Sequence, residues 1–229
     1  TVKLMSEVKV IRRWPRAGRK PDLAPAAEAH RAEAGAKVKV IAIGASTGGP
    51  PVLQTILAAL PPDFPVPLLI VQHMAAGFTQ GFVQWLAQTS SLPVHLAAHD
   101  EPVRAGHVYV APDEFQMRVE RDGKIVLSKD APENGLRPSV SYLLRSVGAV
   151  YARDAVAGLL TGMGRDGAAE LKLLRDQGAI TFAQDQESSV VHGMPGAAIQ
   201  LDAATFILPP EKIPAMLTNL ARKASRSDP

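Results

Sequence analysis

The 229-residue chain contains no cysteine. That absence excludes a disulfide scaffold, a thiol nucleophile and any cysteine-ligated metal or iron–sulfur site, and it fits a reducing, cytoplasmic setting. Aromatic residues are few, at 5%. Residues 37–229 show no basic stripe with interleaved aromatics, which argues against a nucleic-acid partner. No apolar stretch reaches the roughly 18 uninterrupted residues that a membrane span needs. The opening segment TVKLMSEVKVIRRW lacks the apolar core of a secretory signal.

What is present reads as globular: 46% hydrophobic and 21% charged residues. Charge is unevenly distributed. Residues 1–36 carry eight Lys/Arg against four Asp/Glu, whereas residues 37–229 carry 17 against 18. The basic pI of about 9.3 is therefore a property of the leading segment. Residues 15–36 are rich in Pro, Ala, Gly and charge without apolar periodicity, the composition of a linker. Residues 1–36 are accordingly assigned to a basic, Pro/Ala-rich interdomain linker and 37–229 to one folded domain. Because the chain opens on Thr1, a fragment of a longer protein is expected.

From Lys37 onward, short β-branched or wholly apolar runs alternate with helical periodicity. Strands are expected near 38–43, 68–71, 93–96, 107–111, 155–160, 179–183 and 205–208. Helices are expected near 52–60, 78–88, 139–151, 168–177 and 211–221. Residues 117–119 and 125–127 flank Asp122-Gly123, a hairpin signal. Strands apolar on both faces and alternating with helices imply a doubly wound α/β fold. The expected sheet is mostly parallel, with helices on both faces and a small antiparallel hairpin.

In such sheets ligands meet the carboxyl ends of the strands. Three strand ends carry reactive side chains: Ser46, His73 and Asp166. Hydroxyl, imidazole and carboxylate on one edge make the composition of a serine hydrolase site. Gly44-Ala45-Ser46-Thr47-Gly48 matches G-x-S-x-G between a strand and a helix, the context that exposes a nucleophilic hydroxyl. A phosphate- or dinucleotide-binding loop is the competing reading of GASTGG. Neither G-x-G-x-x-G nor G-K-[ST] is met, and Gln72-His73 stands where a ribose-binding acid belongs. His192, in SSVVHGMP, competes with His73 as base. His95 and His99, beside Asp100, form an H-x-x-x-H pattern in a strand-and-loop segment that suits zinc poorly. Asp166 could equally cap the helix beginning near 168. The order Ser, His, Asp matches no common hydrolase order, which argues against an ordinary α/β-hydrolase.

Taken together, GASTGGP, QHM, TGMGRDG and AQDQESSVVHGMP, in that order, resemble the chemotaxis protein-glutamate methylesterase (CheB) family over about residues 37–221. The resemblance implies Ser46 as nucleophile, His73 as general base and Asp166 as orienting carboxylate, with Thr47 and Met163 near the oxyanion site and no cofactor or metal. It further implies hydrolysis of glutamyl methyl esters on chemoreceptor signalling helices, with deamidation of receptor glutamines. An upstream phosphoacceptor receiver domain, absent from this sequence, would be the second partner. Arg137 is a candidate contact to an acidic receptor surface. Two departures stand out: Ser141 where an aspartate is usual, and His192 where an aromatic is common. Both are expected to alter the groove without touching the triad.

Overall fold

The computed structural model describes residues 37–225 of the chain; the linker assigned to residues 1–36 lies outside the described residues. Ten strands and six α-helices follow in order: β1 (Val40–Ala45), α1 (Gly49–Ala58), β2 (Leu68–Gln72), α2 (Thr79–Thr89), β3 (Val94–Leu96), β4 (Glu101–Pro102), β5 (Val108–Val110), β6 (Gln116–Val119), β7 (Lys124–Ser128), α3 (Val140–Tyr151), β8 (Ala155–Leu159), α4 (Ala168–Asp176), β9 (Ile180–Gln184), α5 (Met194–Gln200), β10 (Phe206–Leu208) and α6 (Ile213–Ser225).

Seven strands form one sheet in the order β10-β9-β8-β1-β2-β5-β3, and every pairing in it is parallel. The expected doubly wound α/β architecture is observed. The antiparallel part is larger than the expected hairpin, because β4 pairs with β7 and extends β6–β7 to a separate three-stranded sheet.

Side chains alternate across a strand, so each central strand feeds two cores. Ile41, Ile43 and Ala45 of β1 join Leu53, Ile56 and Leu57 of α1, Phe82 and Leu86 of α2, and Leu217 of α6 on one face. Val40 and Ala42 join Leu143, Leu144 and Val147 of α3, Leu171 and Leu174 of α4, and Ala198 of α5 on the other. Both faces are covered, which explains why these strands read as continuous apolar runs.

The chain moves outward from β1 to β2 on one side and from β8 to β9 on the other. The strand order therefore reverses between β1 and β8, and a crevice forms beyond the carboxyl ends of the strands at that reversal. The segments following β1, β2 and β8 border it, and they carry Ser46, His73 and Asp166.

Candidate active site

Ser46 is the first residue past β1 and is half-buried. Its N–H donates to Thr161 O at 3.0 Å and its carbonyl accepts the Gly49 N–H at 2.8 Å. Between them the backbone reverses through Gly48, whose φ of 81° is left-handed, and enters α1 with proline in its first turn. A side chain at Gly48 would also strike Val190, its Cβ lying 2.6 Å from that residue's Cβ. The G-x-S-x-G match thus sits in the strand–turn–helix context that its mechanics require.

His73 is the first residue past β2. Its backbone N–H closes the β1–β2 ladder on Ala45 O at 2.9 Å, so Ser46 and His73 leave neighbouring strands side by side. The ring Nε2 lies 2.9 Å from Asp166 Oδ2, with the two side chains 11% and 2% exposed. Among the described residues the Ser46 hydroxyl makes no hydrogen bond. Such contacts commonly tighten only when substrate is bound.

Asp166 does more than orient the ring. Its carboxylate also accepts the Ser139 hydroxyl at 2.9 Å and the backbone N–H groups of Val140 at 2.7 Å and Ser141 at 3.0 Å. Those amides open α3, whose N-cap is Ser139. The alternative reading, that the aspartate caps the helix after it, does not hold: that helix, α4, starts from Gly167 with no side-chain cap, and Asp166 caps α3. Burial pushes its carboxyl up, but hydrogen bonds from His73, from the Ser141 side chain and from the Ser141 and Val140 amides outweigh burial and hold it at about 2. Ionised, the carboxylate can only accept, so the proton between the two groups resides on His73 Nε2 and the ring's lone pair is on Nδ1.

The expectation that neither departure touches the triad fails for Ser141. Ser141 does touch the triad carboxylate, through its amide to Asp166, and its hydroxyl accepts the Gly167 N–H at 2.9 Å. His192, by contrast, is aligned with Gly162. Its Nδ1 lies 3.4 Å from Ser189 Oγ and its ring packs on Gly196, so Asp166 engages His73 and not the competing imidazole. Likewise, His95 pairs with Glu101 at 3.1 Å while His99 pairs with the backbone of Leu127. Among the described residues no cluster of three or more His, Asp or Glu could hold a metal ion. Arg137 donates to the backbone carbonyls of Lys129 and Asp130 at 3.3 Å each.

Thr47 is exposed and Met163 is 71% exposed. Among the described residues the backbone N–H groups of both are without a hydrogen-bond partner. The loops bearing them are strapped together from beneath. Buried Gln184 accepts the Thr161 N–H at 2.8 Å and donates to Ser188 O at 3.0 Å, while the Thr161 hydroxyl donates to Thr47 O at 2.9 Å. Phe78, Met163 and Val190, 66%, 71% and 69% exposed, lie on the loops that follow β2, β8 and β9. They give this edge an apolar rim. None of the polar straps, nor the Ser139–Ser141 shell, was identified from sequence. The visible signals were Ser139 at a helix start and Ser141 as a departure from the family pattern.

Fold and site together define a doubly wound α/β domain with a polar, strand-end site at its topological switch point. The chain belongs to the CheB methylesterase family, whose sequence pattern matches residues 41–217. It is 63% identical over 222 residues, 96% of its own length, to a protein-glutamate methylesterase/protein-glutamine glutaminase of Nitrosospira multiformis. It is 58% identical over 221 residues to one of Geobacter metallireducens. The chain spans 62% and 63% of the lengths of these two relatives. A solved structure, the CheB methylesterase catalytic domain of Thermotoga maritima, superimposes with a TM-score of 0.78 at 38% identity, covering 80% of this chain and 98% of that one. No helix among the described residues is long and apolar enough to cross a membrane.

Proposed function

We propose that this chain is a serine hydrolase acting on glutamyl methyl esters of chemoreceptor signalling helices, releasing methanol, and that the same site deamidates glutamine side chains. The observation that carries the reading is the His73–Asp166 hydrogen bond, placed one strand from Ser46 at the switch-point edge. Family membership and the names of the two relatives support the substrate class.

In the acylation step His73 Nδ1 takes the Ser46 hydroxyl proton as Oγ attacks the ester carbonyl. The imidazolium that forms is paired with ionised Asp166. The resulting oxyanion accepts the unpartnered N–H groups of Thr47 and Met163, each such donor contributing about 3 kcal/mol to the barrier reduction. Collapse expels methoxide, which leaves as methanol with the proton from His73. Water then attacks the acyl-serine by the same route, freeing the glutamate carboxylate and restoring Ser46. With glutamine the leaving group is ammonia. Every proton is carried by protein groups or water, so the chemistry needs no cofactor. The apolar rim of Phe78, Met163 and Val190 would receive the substrate helix. A cytoplasmic location and an upstream receiver domain belong to the same proposal.

The test is methanol release from methyl-esterified receptor helices by the purified chain and by Ser46→Ala. The intact chain should turn over, and the variant should lose at least a thousandfold in kcat. Equal rates would remove Ser46 from the mechanism.

A further inference from the structure

The backbone ladder between β1 and β2 ends at the Ala45–Gln72 register pair, one residue short of Ser46 and His73. Past that point the two chains are joined by a side chain. Gln72, 3% exposed, donates from Nε2 to Ser46 O at 2.9 Å and to His73 O at 2.8 Å. One amide nitrogen thus holds the carbonyls of both residues that must exchange a proton. We propose that Gln72 is a positioning residue for the reacting pair: its amide extends the ladder by one step and sets the approach of the Ser46 hydroxyl to the His73 ring. The proposal rests on the reading of Ser46 and His73 given above.

Two further observations show that this arrangement is not simply good packing. Gln72 Oε1 is buried and has no hydrogen-bond partner among the described residues, a condition that opposes stability. Turning the amide over would not help, because it would set Oε1 against two carbonyl oxygens and lose both bonds. The orphaned oxygen also constrains its surroundings. It lies against the start of α1, where a Cβ on Gly49 would fall 2.2 Å from it. An apolar residue of similar length would fill the same space without the orphaned Oε1, leaving Ser46 O with its Gly49 N–H and His73 O without its Gln72 donor. The structure therefore accepts a local cost at a position that reaches the backbone of both reacting residues.

The test uses the full chain carrying Gln72→Met, which is close in length and cannot donate, and Gln72→Glu, which keeps the shape and presents oxygens to both carbonyls when ionised. Four quantities are read: kcat, KM, thermal midpoint and the rate at which a fluorophosphonate labels Ser46. Both variants should lose at least tenfold in kcat, with KM within twofold of the parent. Labelling should slow in parallel, and the Gln72→Met midpoint should stay close to the parent's, because relief of the orphaned Oε1 offsets loss of the donor to His73 O. Wild-type kcat in folded Gln72→Met overturns the proposal. So does failure of both variants to fold, which would make the amide a requirement of the fold alone. Ser46→Ala separates this proposal from the reading beneath it. If that variant is inactive while Gln72→Met is normal, only the role of Gln72 falls; if Ser46→Ala remains active, the site reading itself falls.

Discussion

Asp166 and His73 share a 2.9 Å hydrogen bond through a carboxylate oxygen that also accepts the Val140 amide at 2.7 Å. The group that orients the imidazole is therefore the anion at the N-terminus of α3. The positive end of that helix, together with the Ser139 and Ser141 contacts, favours its ionised form. Helix and site form one electrostatic unit.

Replacing Asp166 with asparagine should damage catalysis far more than folding. The amide can accept through only one of its two heavy atoms, so either the ring N–H or a helix amide faces another donor. The expected loss in kcat is about a thousandfold to ten-thousandfold. Steady-state methanol release, with circular dichroism to confirm the fold, checks it. A loss below tenfold would mean that the carboxylate does not act on the ring.

The same carboxylate should leave a signature in acid. Its folded value of about 2 lies below the ordinary 3.8, so the fold favours the ionised form. That contribution, about 2 kcal/mol, is complete above pH 4 and disappears as the pH falls towards 2. Urea unfolding should therefore show the stability gap between the parent and Asp166→Asn narrowing from pH 5 to pH 2. A gap that stays constant would contradict the origin assigned to the low value.

Ser141→Ala removes the hydroxyl that accepts the Gly167 N–H and leaves that buried donor unpaired. It should cost about 1–2 kcal/mol of unfolding free energy. The side-chain contact that helps to hold the Asp166 carboxyl low is lost as well, but the Ser139, Val140 and Ser141 donors to the carboxylate remain, so kcat should fall less than fivefold. Chemical denaturation and turnover on one preparation measure both.

Gly162→Ala tests the close approach behind the nucleophile. The added Cβ would lie 2.7 Å from Ser46 Cβ and 2.6 Å from Met194 Sδ, so the serine must shift. Displacing a reacting group by roughly 1 Å costs on the order of a hundredfold in rate. We expect that loss in kcat, with KM little changed, by steady-state kinetics.

The sheet and the edge bearing the site were legible because β1, β2 and β8 are apolar on both faces and the segment following each carries a reactive residue. Seven-residue α5 was missed because MPGAAIQ is too short and its residues too small to show a helical period. Two-residue β4 carries no pattern at all. Asp166 as the cap of α3 was hidden by 25 to 27 residues of intervening chain. The nearby α4 start offered a local alternative that the backbone meets with Gly167 instead. The straps made by Gln72 and Gln184 left no trace for a related reason: side-chain bonds to distant backbone depend on strand order, which periodicity does not report.

The most direct test of the account is where a fluorophosphonate attaches to the intact chain, read by peptide mass spectrometry alongside methanol release. The account predicts one phosphonyl adduct per chain, on Ser46, formed in step with loss of turnover and absent from Ser46→Ala. Inactivation with the adduct on another residue, or full labelling of Ser46 with turnover intact, would contradict it.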